Sequence, residues 1–267
     1  MLLRRITQHV KTQNWFAVTL DFIIVVIGVA VAMMGQQWLS ELAQKNNFVE
    51  AQKAVENDLF RNYLNANERM AVAPCRIQAY QSISKKLLEP GDEWTGMPRA
   101  KVEKDLFAGN TALPNLLRSP SRIWGANTWT AELNRGTFNS MDVERRNTID
   151  ALLESTDHAQ KLQREIYSLQ GQMKTLALST RISQAERLRY LDNLGELDVK
   201  SGLLELIAGQ IVRSIGSLDL DITQEFVAQI YEFLPGTNAS LKSVYGECVV
   251  PITMKNLIKQ VKPVEQP

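Results

Sequence analysis

The stretch Asn14–Trp38, NWFAVTLDFIIVVIGVAVAMMGQQW, decides the architecture of this chain. From Phe22 to Met34 it carries no charge and no strongly polar side chain. Trp15 to Met34 amounts to about twenty residues, roughly 30 Å as a helix, the thickness of a bilayer's hydrocarbon core. Trp15 and Trp38 stand at opposite ends, where indole rings favour the boundary between lipid and water. Arg4, Arg5 and Lys11 precede the segment, and Glu41, Lys45 and Glu50 follow it. That asymmetry puts the N-terminus in the cytoplasm and the long remainder outside. The expected location is a bacterial inner membrane, crossed once, with the bulk of the chain in the periplasm. A cleaved signal peptide competes, because Ala30-Val31-Ala32 has the small-x-small form of a cleavage site. The apolar run ahead of that site would be only Phe22–Val29, behind a leader that includes Asp21. A retained anchor is therefore expected.

Asp21 is the anomaly in this stretch. Projected at about 100° per residue with Ala17 at zero, Gly35 falls near 0°, Gly28 near 20°, Asp21 near 40° and Ala32 near 60°. One narrow stripe thus holds the small residues together with the carboxylate, while Leu20, Phe22, Val26 and Ile27 point elsewhere. Small residues let a second backbone approach closely, and a polar group on that face is satisfied by the partner helix. An isolated aspartate at a helix centre costs roughly 2.5–3.5 kcal/mol on insertion, and less near the interface. A span shifted outward, Phe22 to about Leu39, would instead leave Asp21 among the headgroups. The stripe of Ala17, Asp21, Gly28, Ala32 and Gly35 exists in either placement.

Beyond the span the sequence stays helical in character. Phe48, Val55, Leu59 and Ala66 mark a long amphipathic helix, which Pro74 is expected to interrupt. A second segment carries Ile77, Tyr80, Ile83, Leu87 and Leu88 and runs into the loop EPGDEWTGMP. Ser119 reads as an N-cap with Pro120 in the first turn and Gly136 as the stop. Ser140 opens a long helix with Ile149, Leu152, Thr156, Ala159, Ile166, Leu169 and Met173 on one face. Ser183–Glu186, SQAE, is a capping box leading Leu188, Leu191 and Leu194. Further helices are expected over about Leu203–Ile215 and Glu225–Leu234. Trp124, Trp129 and Phe138 read as packing residues. No run alternates with a period of two. The expected fold is all-α: a leader over 1–14, a transmembrane helix over 15–38, a helical bundle of about six to seven helices over 39–236, and a tail over 237–267.

Two cysteines, Cys75 and Cys248, both lie outside the span. In an oxidising compartment they are expected to form one disulfide tying the tail to the first long helix. Chemistry finds little support. The only histidines are His9, in the leader, and His158, so no metal site of clustered histidines can form. Glu154 and His158 are four apart, the spacing of a helix surface pair. No phosphate loop, dinucleotide fingerprint, paired-cysteine motif or nucleophile elbow is present. Asp219–Asp221 lacks the rest of a calcium loop, and Asn238-Ala-Ser240 is a short match to a glycosylation acceptor. The formal charge is +1 from 30 basic and 29 acidic residues, without the basic excess that nucleic-acid binding draws on. No catalytic activity, cofactor, metal or nucleic-acid partner is expected.

With these residues placed, the chain resembles a group of bacterial single-pass inner-membrane proteins with a periplasmic helical domain and no known activity. The resemblance rests on Asn14–Trp38, with Asp21, Gly28 and Trp38, and more weakly on TWTAELNRGTFNSMDVERRNTIDALLES, which lacks the paired tyrosines expected after its helix. It implies a membrane-anchored helical domain and assigns no residue a role. The functional expectation is a non-catalytic accessory or scaffold subunit. It would pack through its transmembrane stripe against other integral membrane proteins, or against itself, in the lipid bilayer. The alternative is a periplasmic ligand-sensing module with a separate signalling partner, since about fourteen residues ahead of the span are too few for an output domain.

Overall fold

The computed structural model describes residues 15–99, 113–125, 127–218, 220 and 224–253, with the side chains of 15–17, 224–227 and 229–231 outside that set. The expected leader over 1–14 and the end of the tail lie outside the described residues. Five α-helices appear among those described: α1 (Trp15–Leu87), α2 (Asn127–Asn134), α3 (Val143–Gln172), α4 (Gln184–Ser217) and α5 (Gln224–Tyr245). Two strands of two residues each, β1 (Glu93–Trp94) and β2 (Thr180–Arg181), pair antiparallel, with Glu93 opposite Arg181 and Trp94 opposite Thr180. The all-α reading holds apart from that short ladder. The chain divides into two units, Met1–Ala51 and Gln52–Pro267.

In the first unit the helix is long and apolar enough to cross a membrane. Its most apolar window has a mean hydropathy of 2.4, and none of that window is buried. Described side chains from Val18 to Asn47 are exposed throughout. An apolar helix without cover from its own chain needs an apolar medium or another helix.

The core of the second unit is built on the α1 face bearing Val55, Leu59, Tyr63, Ala66, Ile83 and Leu87, all buried. On α3 the predicted stripe is buried in full, from Ile149 through Leu169. Its N-cap is Asp142, whose carboxylate accepts from Arg145 N at 3.0 Å, two residues later than the predicted start at Ser140. The capping box on α4 forms as its sequence requires, with Ser183 and Glu186 each accepting from the other's backbone N–H. What reads as two helices, near Leu188 and near Leu203, is one helix of 34 residues. Leu188 lies on its exposed side, as Ile77 and Leu88 lie on the solvent side of the first long helix and its end. Trp124, Trp129 and Phe138 are buried, and the last two stack with ring centroids 4.7 Å apart.

Ser119 and Pro120 are not helical. They belong to an irregular stretch, and α2 begins only at Asn127; Gly136, with φ of 77°, follows its end as predicted. This stretch is held by side-chain amides. Asn62 exchanges two bonds with Gly125 (3.1 and 3.2 Å), and Asn65 donates to Ile123 O at 3.0 Å. From α3, Gln160 accepts from Trp124 N at 2.9 Å, and Gln163 donates to Arg122 O and accepts from the Trp124 indole. Peptide groups that form no ladder must find such partners when buried. Glycine is required at Gly96 for a different reason. A Cβ there would meet Ala177 O at 2.7 Å, where the chain passes close enough for Met97 N to reach Leu176 O.

Pro74 does not end α1, and Pro235 does not end α5; both sit inside their helices. A mid-helix proline leaves the carbonyl four residues back without its usual donor and crowds it. Just beside that position, Ala71 O accepts a bond from Val250 N at 2.9 Å. The tail therefore docks where the proline loosens the helical ladder. Asn238 on α5 completes the docking through paired bonds with Ile252 N (2.9 Å) and Ile252 O (3.0 Å). The disulfide Cys75–Cys248 closes the same corner across 173 residues of sequence, beside buried Ala71, Val72, Leu241 and Val249. The region from Thr237 is thus helical to Tyr245 and then pinned.

Two outcomes are expected. Replacing Gln163 by leucine strands the Arg122 carbonyl and the Trp124 indole, and should cost about 2–3 kcal/mol in denaturant unfolding. Unfolded, unreduced protein should show no free thiol, and reduction should lower stability by roughly 2–5 kcal/mol in the same assay.

Candidate functional site

Two regions hold unusual chemistry for their surroundings. The first is the apolar helix of the first unit. Asp21, Gly28, Ala32, Gly35 and Trp38 are all exposed on it, and nothing lies within 4 Å of where a Cβ would stand at Gly28 or Gly35. The stripe is therefore open along its length from Asp21. Trp15 and Ala17 belong to the helix, but their side chains lie outside the described residues. Gln37 donates to Glu41 at 3.1 Å, a pairing one turn apart that marks where polar side chains resume.

The second region is a charged seam inside the second unit that sequence reasoning missed. Arg76 on α1 donates to both oxygens of Glu205 on α4, at 2.6 and 3.0 Å, and also pairs with Asp198. Burial works against the charged form of Arg76, but the two carboxylates outweigh it and raise its pKa. Glu68 and Arg122 form a second two-point pair, its longer bond 2.8 Å. Arg145 reaches Glu56, whose side chain is buried, at 2.9 Å. Arg69 differs from these. It is 2% exposed, and its Nε and Nη2 have no hydrogen-bond partner among the described residues. Burial lowers its pKa, opposed by the nearby Glu205 carboxylate. Each stranded donor costs about 1–3 kcal/mol.

Next to the Glu68–Arg122 pair lies a groove of about 330 Å³, with Phe233, Thr237, Ser240 and Leu241 on its α5 side. Tyr245, near this pair, has its pKa raised by burial and further by Glu68. A phenol held neutral there can donate a hydrogen bond but not serve as a base at ordinary pH. Glu154 and His158 are both exposed on α3. Asn238 has its amide engaged by Ile252. Among the described residues no group of three His, Cys, Asp or Glu side chains is placed to hold a metal ion. The predicted disulfide partners meet; of the predicted stripe, Asp21, Gly28, Ala32 and Gly35 are exposed, as is every described side chain from Val18 to Asn47. No family model, curated protein or solved structure matches this chain.

The charge seam makes opposite predictions for two arginines on one helix. Arg76→Met leaves Glu205 without its bidentate partner and should cost about 3 kcal/mol. Arg69→Met removes a buried charge with two unmet donors and should leave stability unchanged or raise it by about 1–2 kcal/mol. Chemical denaturation of the two variants side by side checks the contrast.

Proposed function

We propose that this chain is a membrane-anchored, non-catalytic accessory or scaffold subunit of a larger inner-membrane assembly. Its apolar helix crosses the bilayer once, with the N-terminus cytoplasmic, and packs against other integral membrane proteins through the face bearing Asp21, Gly28, Ala32 and Gly35. The second unit then stands in the periplasm and braces the assembly. The observation that carries the reading is the openness of that face. A carboxylate and two glycines are aligned on a helix whose described side chains from Val18 to Asn47 are all exposed. Small residues permit close backbone approach, and in hydrocarbon the aspartate gains most from a donor on a neighbouring helix. The disulfide agrees with an oxidising compartment for the second unit.

A second reading, a periplasmic ligand-sensing module, draws on one observation. The groove lined by Glu68, Arg122, Thr237 and Ser240 offers polar groups that a small polar ligand would satisfy.

The test is co-purification from native membranes with the substitutions Asp21→Leu and Gly28→Leu. Both place on an exposed position an apolar side chain that insertion tolerates, so the protein should remain in the membrane fraction. Loss of other membrane proteins from the variants, by about tenfold or more, is the expected result. Unchanged partners in both variants would show that the stripe is not the interface.

A further inference from the structure

Helix α4 carries a second open face, on the side opposite its buried one. Leu194, Leu197, Leu204, Ala208, Ile211 and Ile215 point into the core. At about 100° per residue, Leu188, Val199, Leu203 and Leu206 cluster on the other side with Gly195 and Gly202 among them, and Gly209 stands at the margin, where Met70 Sδ of α1 lies 3.9 Å from a Cβ position. Val199 is 72% exposed, and Leu188 and Leu206 are each 55% exposed. The glycines recur every seven residues, and the space over Gly195 and Gly202 is empty to 4 Å. A soluble helix rarely shows water a stripe of leucine and valine over five turns.

The occupant follows from charge. Asp192 and Arg213 are exposed at the two ends of this face, and neither is in an ion pair among the described residues. Their midpoint in sequence lies between Gly202 and Leu203, at the centre of the stripe. Two copies of α4 laid antiparallel about that midpoint bring Asp192 of each against Arg213 of the other. The same operation sets Val199 opposite Leu206 and Leu203 opposite Gly202, so the central projecting side chains meet a glycine or an apolar partner, while Leu188 falls opposite Ser217 at the rim. A two-fold interface requires this kind of self-complementarity. A parallel arrangement would instead align Asp192 with Asp192 and Arg213 with Arg213. An anionic lipid surface fits poorly, since Asp192 and Glu196 border the apolar residues.

We propose that the second unit self-associates through an antiparallel pairing of α4 with α4 of a second copy, with Asp192–Arg213 ion pairs closing both ends. This interface is separate from the stripe in the apolar helix, so the two fail or hold independently.

The full chain in mild detergent is the material for the test. Leu203→Cys stands beside the two-fold axis and should give a reducible covalent dimer on mild oxidation. Leu188→Cys lies far from its own copy in the antiparallel arrangement and should not. Gly202→Leu fits the empty space of the single chain and favours the helix, so thermal stability should hold or rise while the dimer is lost in sedimentation. Asp192→Arg should weaken dimerisation by about tenfold, and Asp192→Arg combined with Arg213→Asp should restore it. Crosslinking by Leu188→Cys in place of Leu203→Cys would overturn the antiparallel pairing. So would a monomeric parent chain, a Gly202→Leu variant that still dimerises, or a charge swap that fails to rescue. The pairing should survive Gly28→Leu.

Discussion

The second unit depends on a solvation problem solved by five amide side chains. The stretch from Ser119 to Gly125 has no ladder of its own; Pro120 and Trp124 are buried, while Ser121 and Ile123 face outward. Its peptide groups are met by Asn62 and Asn65 from α1 and by Gln160 and Gln163 from α3, while Gln170 holds the Ser119 hydroxyl. These bonds are each modest in net energy, but their loss exposes the full cost of a stranded buried group. They also set position. With Trp124 fixed by its backbone and indole bonds, the segment joins two long helices at a defined spacing, and the pair of Arg122 with Glu68 follows from that placement.

At the far end of the sequence the same logic recurs in a different form. Pro74 disturbs the ladder of α1, and the tail uses the place where it does so, through Val250 and the neighbouring disulfide. Asn238 gives the tail a second hold on α5. Buried Ala71, Val72, Leu241 and Val249 pack around Cys75 at the same corner. The described part of the C-terminal region, through Thr253, is therefore part of the folded unit. The apolar helix of the first unit has no such internal cover, and its uncovered face is what directs the functional reading outward, to partners.

Much of this was legible in the sequence where one residue type answers one physical demand. Ser183 and Glu186 satisfy backbone donors at a helix start, and both are read correctly from spacing alone. The α3 stripe from Ile149 to Leu169 repeats often enough that its buried face is unambiguous. Pro74 misleads because its rule describes an isolated helix, whereas here burial on both sides and a docked tail hold the backbone together. Pro120 misleads in the opposite way: beside Ser119 it looks like a helix start, but the amides that claim the segment come from residues some 40 to 60 positions away in sequence. Such partners leave no local signal. Arg69 and Arg76 were invisible for a related reason. Lone arginines on an amphipathic helix normally face solvent, and only the placement of Glu205 and Asp198 on α4 shows otherwise. The apolar helix itself was legible from the uncharged run between Phe22 and Met34.

The central claim is that this chain works as a part of something larger in the membrane. Its most direct test is the intact mass of the assembly carrying the natural protein, taken from native membranes in mild detergent. The account predicts a particle containing one or more copies of this chain together with other integral membrane proteins in fixed ratio. A particle made of this chain alone, whether one copy or two, would contradict it.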